Sequence, residues 1–188
     1  MTASAREMPR LHTERLLLRP FDPADAPRVE RLAGAREVAD TTLHIPHPYP
    51  EGGGATWIAT HAEGWAKHGQ LTLAICERTA PGDMIGAISI GVSWAHSHGE
   101  LGYWIAREHW SRGFATEDAR ALVAYAFDEL GLHRVQAHHF TRNPASGRVM
   151  QKIGMRPEGV HRDAYVRWGR FEDIAVYGLL ASDRRASI

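Results

Sequence analysis

A chain of 188 residues suits one domain around a single hydrophobic core. Lys plus Arg and Asp plus Glu both total 22, so no charge excess calls for nucleic acid or an anionic membrane as partner. No apolar run approaches the roughly 20 residues of a membrane span, and the single cysteine, Cys76, permits no internal disulfide.

Residues 1–10, MTASAREMPR, lack the apolar centre of a secretory signal and read as a disordered segment, so a cytoplasmic protein is expected. LHTERLLLRPF predicts a first strand ending near Pro20, and DPADAPRVERLAG a capped helix closed by Gly34. Three prolines and three glycines in TTLHIPHPYPEGGG exclude a regular element. ATWIATHAEGWAKHG then resumes helical spacing with Trp57, Ile58, His61 and Trp65. LTLAICER, MIGAISIGVSWA and GELGYWIA predict three strands whose short links favour an antiparallel meander, with Cys76 as a buried, inert thiol.

In WSRGFATEDARALVAYAF and beyond, Ala119, Leu122, Val123, Ala126, Phe127 and Leu130 form one buried helical stripe, closed by Gly131. HRVQAHHFT predicts a strand, PASGRVMQKIG a short helix, and RDAYVRW and FEDIAVYGLL two terminal strand segments around Gly169. The order describes one α/β domain over residues 11–181, a mixed sheet with helices packed on it and no linker, followed by a tail at 182–188.

Gly113 stands at the N-terminal end of the striped helix, where free N–H groups and the helix dipole favour an anion. Gly113 admits a ligand closely, the small Ala115 does not block it, and Arg112 and the Thr116 hydroxyl add donors. Taken alone, the stretch also reads as an ordinary loop entering a helix. Neither GxxxxGK[ST] nor GxGxxG after a strand is present, which removes the common nucleotide loops. His96, His98 and Glu100 share one strand face, but no Cys pair or HExxH accompanies them, and no metal is expected.

GELGYWIAREHWSRGFATEDARALVAYAF resembles the central motif of GNAT-superfamily N-acetyltransferases, in their RimJ/RimL-type branch, whose ribosomal-protein-alanine N-acetyltransferases are the type members. LHTERLLLRPFDPADA is similar to that branch's first strand and helix, NPASGRVMQKIGMRPEG to its second conserved segment and WGRFEDIAVYGLL to its closing strand. The resemblance spans roughly residues 11–181. It implies an α/β GNAT fold: a mixed, mostly antiparallel sheet splayed at an acetyl-CoA cleft, with helices on both faces. It also implies acetyl transfer from acetyl-CoA to a primary amine, without a metal.

The same resemblance assigns roles. In the family signature [QR]xxGx[GA], Trp110 takes the first place and Gly113 and Ala115 the small ones. The grip on pyrophosphate therefore falls to Arg112 and the backbone of Gly113, Phe114, Ala115 and Thr116. Trp104, Ile105 and Ala106 are implied to offer backbone groups to the pantetheine arm, and Asn143 to cap its helix and touch the same arm. Ser146 faces the leaving thiolate, an ordered water being the alternative, because Met150 stands where many members carry a tyrosine. Glu100 matches the general base. His98, His138 and His139 compete for that role through a reference pKa near 6.5, and the last two point to opposite strand faces.

The acceptor side falls on residues 44–54 and 165–171, with His44, Tyr49, Tyr165 and Trp168 as substrate-binding candidates. Three readings stay open: an N-terminal α-amine of a protein or peptide, a small-molecule amine such as an amino acid or antibiotic, and a non-catalytic acyl-CoA-binding or sensing domain. A monomer and a homodimer are both compatible with the sequence.

Overall fold

In the computed structural model, which describes residues 7–185, the apolar and β-branched runs pair into one eight-stranded sheet. Its strands are β1 (Leu11–His12), β2 (Leu16–Arg19), β3 (Gln70–Glu77), β4 (Met84–Ser93), β5 (His98–Ile105), β6 (Arg134–Phe140), β7 (Arg156–Arg167) and β8 (Arg170–Leu180). They lie in the order β1-β2-β3-β4-β5-β6-β8-β7. All neighbours are antiparallel except β5 and β6, which run parallel. The helices are α1 (Ala26–Ala33), α2 (Arg36–Ala39), α3 (Gly53–Ala59), α4 (His61–His68), α5 (Phe114–Asp128), α6 (Pro144–Lys152) and α7 (Ala181–Arg185).

The period of two along β3 distributes its residues to the two faces. Leu71, Leu73 and Ile75 join the main core under α5 and α6, while Ala74 and Cys76 join a smaller one with Val29, Leu32 and Ile58 of α1 and α3. The expected stripe of α5 is buried from Ala119 to Phe127, with Leu130 half-buried at its end. Cys76 is fully buried and burial pushes its thiol pKa up. Among the described residues, no helix is long and apolar enough to cross a membrane.

Four elements differ from expectation. The first strand is a hairpin, β1 and β2, because the Thr13 Oγ1 accepts the N–H of Leu16 at 2.8 Å and turns the chain. The helix after the glycine run starts inside that run, at Gly53, and breaks at Thr60 into α3 and α4; the Thr60 hydroxyl donates to Trp57 O at 2.7 Å. Strand β7 begins at Arg156, well before RDAYVRW. It is an edge strand whose residues are exposed almost throughout, so no buried face imposes an alternating pattern. The expected C-terminal tail starts as α7; its residues 186–188, like residues 1–6 of the expected disordered N-terminal segment, lie outside the described residues.

The feature that positions the site is a fork. Strands β5 and β6 pair only from His98↔Arg134 to Leu101↔Ala137, whereas β5 continues along β4 as far as Ile105↔Gly86. Beyond Leu101 and Ala137 the two parallel strands part, and the α5 and α6 N-termini flank the opening.

Candidate active site

A cleft of about 1750 Å³ runs through the fork. Single small-molecule sites commonly occupy about 300–1,000 Å³, so there is room for two reactants side by side. At one end lies the α5 N-terminus. Gly113 adopts φ +82°, a left-handed conformation that glycine takes without strain, and no side chain caps the helix after it. The N–H groups of Phe114 and Ala115 are thus left to hold an anion, whereas Thr116 N–H already donates to Gly113 O at 3.1 Å.

Trp110, at the anomalous place in the signature, lines that end with its indole N–H already engaged. Its indole N–H donates to Ile105 O at 2.7 Å, tying the glycine turn to the end of β5. Arg112 is engaged as well: Nη1 donates to Glu77 Oε1 at 3.1 Å and lies 3.0 Å from His109 Nδ1, with the guanidinium 4.6 Å from the Phe114 ring centre. A residue that the motif does not contain, Arg15, reaches the same turn from the β1–β2 hairpin. Its Nη1 donates to Arg112 O at 3.0 Å, its Nε to Glu117 Oε2 at 2.7 Å, and it lies over the other arginine's ring partner, Phe114, at 4.7 Å.

Within the fork, Ala106 N–H donates to Ile85 O at 2.8 Å. Antiparallel alternation then turns the N–H of Ile105 away from β4 and toward the opening. Of the three residues expected to offer backbone groups there, Ile105 therefore has the N–H in position. On the α6 side, Asn143 is the N-cap, with its side chain accepting from Ser146 N at 3.4 Å, and Pro144 occupies the first turn. Ser146 Oγ is 2.9 Å from the hydroxyl of Tyr103, which also donates to Ser146 O at 3.1 Å. Burial pushes the Tyr103 phenol well above its ordinary value, the hydrogen bond to Ser146 opposes this, and Asp118 adds to it. Met150 is buried in the main core.

Glu100 and His138 come together on the opposite face. Glu100 Oε2 accepts from Gln136 Nε2 at 3.0 Å, while Oε1 lies 3.4 Å from His138 Nδ1, whose ring stacks on Tyr165 at 6.1 Å between centres. His139 faces the other way, with Nδ1 2.7 Å from Phe140 O and Nε2 against Gly147. His98 stacks on His96 at the far end of β5. Among the described residues, no group of three His, Cys, Asp or Glu side chains is placed to hold a metal ion.

The acetyltransferase (GNAT) domain family matches residues 15–156. This chain belongs to the GNAT family. An uncharacterized N-acetyltransferase of Bacillus subtilis, YoaA, is 39% identical over 105 residues, 55% of this chain and 59% of its own length. The chain spans less than two thirds of the length of the first curated relatives it matches. A solved GNAT-family acetyltransferase from Bacillus anthracis superposes with a TM-score of 0.81 at 25% identity, over 92% of this chain and 98% of that one. RimL, a ribosomal L7/L12 alpha-N-protein acetyltransferase solved with coenzyme A, superposes at 0.82 with 16% identity, over 92% and 98%, and so shares the fold.

The loop before α3 lines one side of the cleft, and the tip of the β7–β8 hairpin lies outside its lining. His44 and Tyr49 line the cleft, whereas Tyr165 and Trp168, expected beside them, do not: Tyr165 stacks on the lining His138, and Trp168 stands at the hairpin turn with its ring 6.0 Å from His47. Arg167 ties the two segments: Nη2 donates to Ala39 O at 2.7 Å and Ile45 O at 2.5 Å, and Nη1 to Leu43 O at 3.1 Å. Burial holds the Tyr49 phenol above its ordinary value, with Glu30 adding to the effect.

Three residues of the site escaped sequence reasoning. Tyr103 has no role in the sequence pattern of GELGYWIA, although a lone tyrosine in an apolar strand carries a hydroxyl that needs a partner. Arg15 lies 97 residues from its Arg112 contact, beyond any local pattern. His61 looked like one more stripe position on a helix. It is buried edge-on against Trp57 and Phe21, both ring nitrogens lack a hydrogen-bond partner among the described residues, and burial pushes its pKa down to about 4.

Proposed function

We propose that this protein is an acetyl-CoA-dependent N-acetyltransferase acting on the N-terminal α-amine of a protein or peptide, by direct attack within a ternary complex. The observation that carries the reading is the fork: it sets Glu100 and His138 on one face of β5 and Ser146 on the other, with the Ile105 N–H between them. An amine attacks a thioester only when neutral, so a proton must leave it, the developing oxyanion needs a donor, and the thiolate must be stabilised as it departs. Glu100, beside His138, takes the ammonium proton directly or through water. Ile105 N–H polarises the acetyl carbonyl, and Ser146 directs its hydroxyl hydrogen to sulfur.

The chain's own residues fit acetyl-CoA. The uncapped α5 N-terminus, from Gly113 through Phe114 and Ala115 to Thr116, with Arg112 beside it, would hold the pyrophosphate. Trp104, Ile105 and Asn143 would line the pantetheine arm. An α-amino group with a pKa near 8 is already partly neutral at physiological pH, which suits a single weak base. RimL is a ribosomal L7/L12 alpha-N-protein acetyltransferase, and a ribosomal-protein-S5-alanine acetyltransferase from Vibrio fischeri superposes with a TM-score of 0.81; both support an α-amine here.

Free thiol released from acetyl-CoA with a panel of peptides and small amines tests this. Release with peptides, lost about 100-fold in kcat on Glu100→Gln, is expected. Release with small amines only would move the acceptor to that class, and binding of acetyl-CoA without release would make the domain a sensor.

A further inference from the structure

The contact between Tyr103 and Ser146 has two hydrogen arrangements. In the first, the tyrosine hydrogen goes to Ser146 O at 3.1 Å and Ser146 Oγ–H points at the phenol oxygen, 2.9 Å away. In the second, the tyrosine hydrogen goes to Ser146 Oγ, and the serine hydrogen is released for another acceptor. No heavy atom has to move between them. The ring is held by burial between α5 and α6. Asp118 is fully buried, and burial pushes its carboxyl well above the ordinary value, which disfavours a charged carboxylate near the phenol.

We propose that Tyr103 is a positioning residue for the leaving group: as charge builds on sulfur, its hydrogen passes from Ser146 O to Ser146 Oγ, turning the serine hydrogen onto the sulfur. This rests on Ser146 facing the thiolate. The C–S bond breaks and its electron pair stays on sulfur. No proton leaves either hydroxyl, because a thiol with a reference pKa near 8.5 cannot hold a proton against a phenol with a reference value near 10 that burial raises further. The thiolate departs as an anion, hydrogen-bonded until release, and takes its proton from solvent. The amine's proton goes to the Glu100 side. The pair thereby serves where Met150 offers no hydroxyl.

The full chain carrying Tyr103→Phe, Ser146→Ala or both tests this, with kcat, the KM for acetyl-CoA and the ultraviolet absorbance of the bound CoA thiolate against pH as readouts. Tyr103→Phe should lower kcat about tenfold at unchanged KM and raise the titration midpoint of bound CoA thiol by about one unit, the scale of a charge-assisted hydrogen bond. The double variant should be no slower than Ser146→Ala. Multiplying defects, or an unchanged thiol titration in Tyr103→Phe beside a slow Ser146→Ala, would overturn the positioning role alone. A Ser146→Ala enzyme within about threefold of the parent, where positioned acids contribute about 100-fold or more, would remove the serine reading and this one together.

Discussion

His61 and Asp118 are buried ionisable residues whose effects on stability oppose each other. His61 has a pKa near 4 in the folded chain against 6.5 in the open one, because burial disfavours its charge. Between these values the unfolded chain holds a proton that the folded chain does not, so stability falls as pH drops from about 6.5 toward 4, by up to about 3 kcal/mol. Asp118, raised above its ordinary 3.8, acts in reverse: the folded chain keeps the proton, and stability is lost as pH rises from that value toward the folded one. His61→Phe keeps a ring against Trp57 and should remove the acid loss, so denaturant unfolding at pH 7 and pH 4.5 should separate parent and variant only at the lower pH. Arg112 obeys similar logic in binding. In the proposed role its guanidinium would have to release Glu77 to engage phosphate, so Arg112→Ala should weaken acetyl-CoA by about 1 kcal/mol and Glu77→Gln should strengthen it, as calorimetry would read.

At the scale of elements, the proposed acceptor side depends on clamps between segments distant in sequence. Arg167 on β7 donates to the carbonyl of Ala39 in α2 and to two carbonyls of the loop after it, and Arg142 after β6 bridges Glu172 on β8 and Asp40 at the end of α2. Arg167→Met keeps the aliphatic stem and removes the donors, so the loop carrying His44 and Tyr49 should loosen. The KM for the acceptor should rise about tenfold, the cost of about one lost charge-assisted bond, while the KM for acetyl-CoA stays put. Asn143→Ala acts on the other wall. It removes the α6 cap, costs about 1 kcal/mol of stability in thermal melts and frees the turn that carries Ser146.

For the whole molecule, the cleft lies between two cores on opposite faces of one sheet, and a ligand filling the fork braces β5 against β6 where they have no mutual hydrogen bonds. Acetyl-CoA at about 100 times its Kd should add about 2.7 kcal/mol to stability and raise the Tm by several degrees. Inorganic phosphate, which reaches only the α5 N-terminus, should raise it less. Equal shifts from both would mean that the fork is not part of the binding site.

The sequence by itself determined what depends on near neighbours. The stripe from Ala119 to Phe127, the period of two in β3 to β5, the left-handed Gly113 at a helix start and the Asn143 cap are local, because burial of one face and the rules of helix ends act over a few residues. The part of β7 before Arg162 escaped because exposure on both faces removes that local signal. Only the tertiary structure decided that the parallel pairing ends at Leu101↔Ala137, that His138 and not His98 or His139 stands beside Glu100, and that Tyr103 meets Ser146 across 43 residues. Those contacts follow from strand register and from which elements share a face, and register is set by the whole sheet rather than by any segment within it.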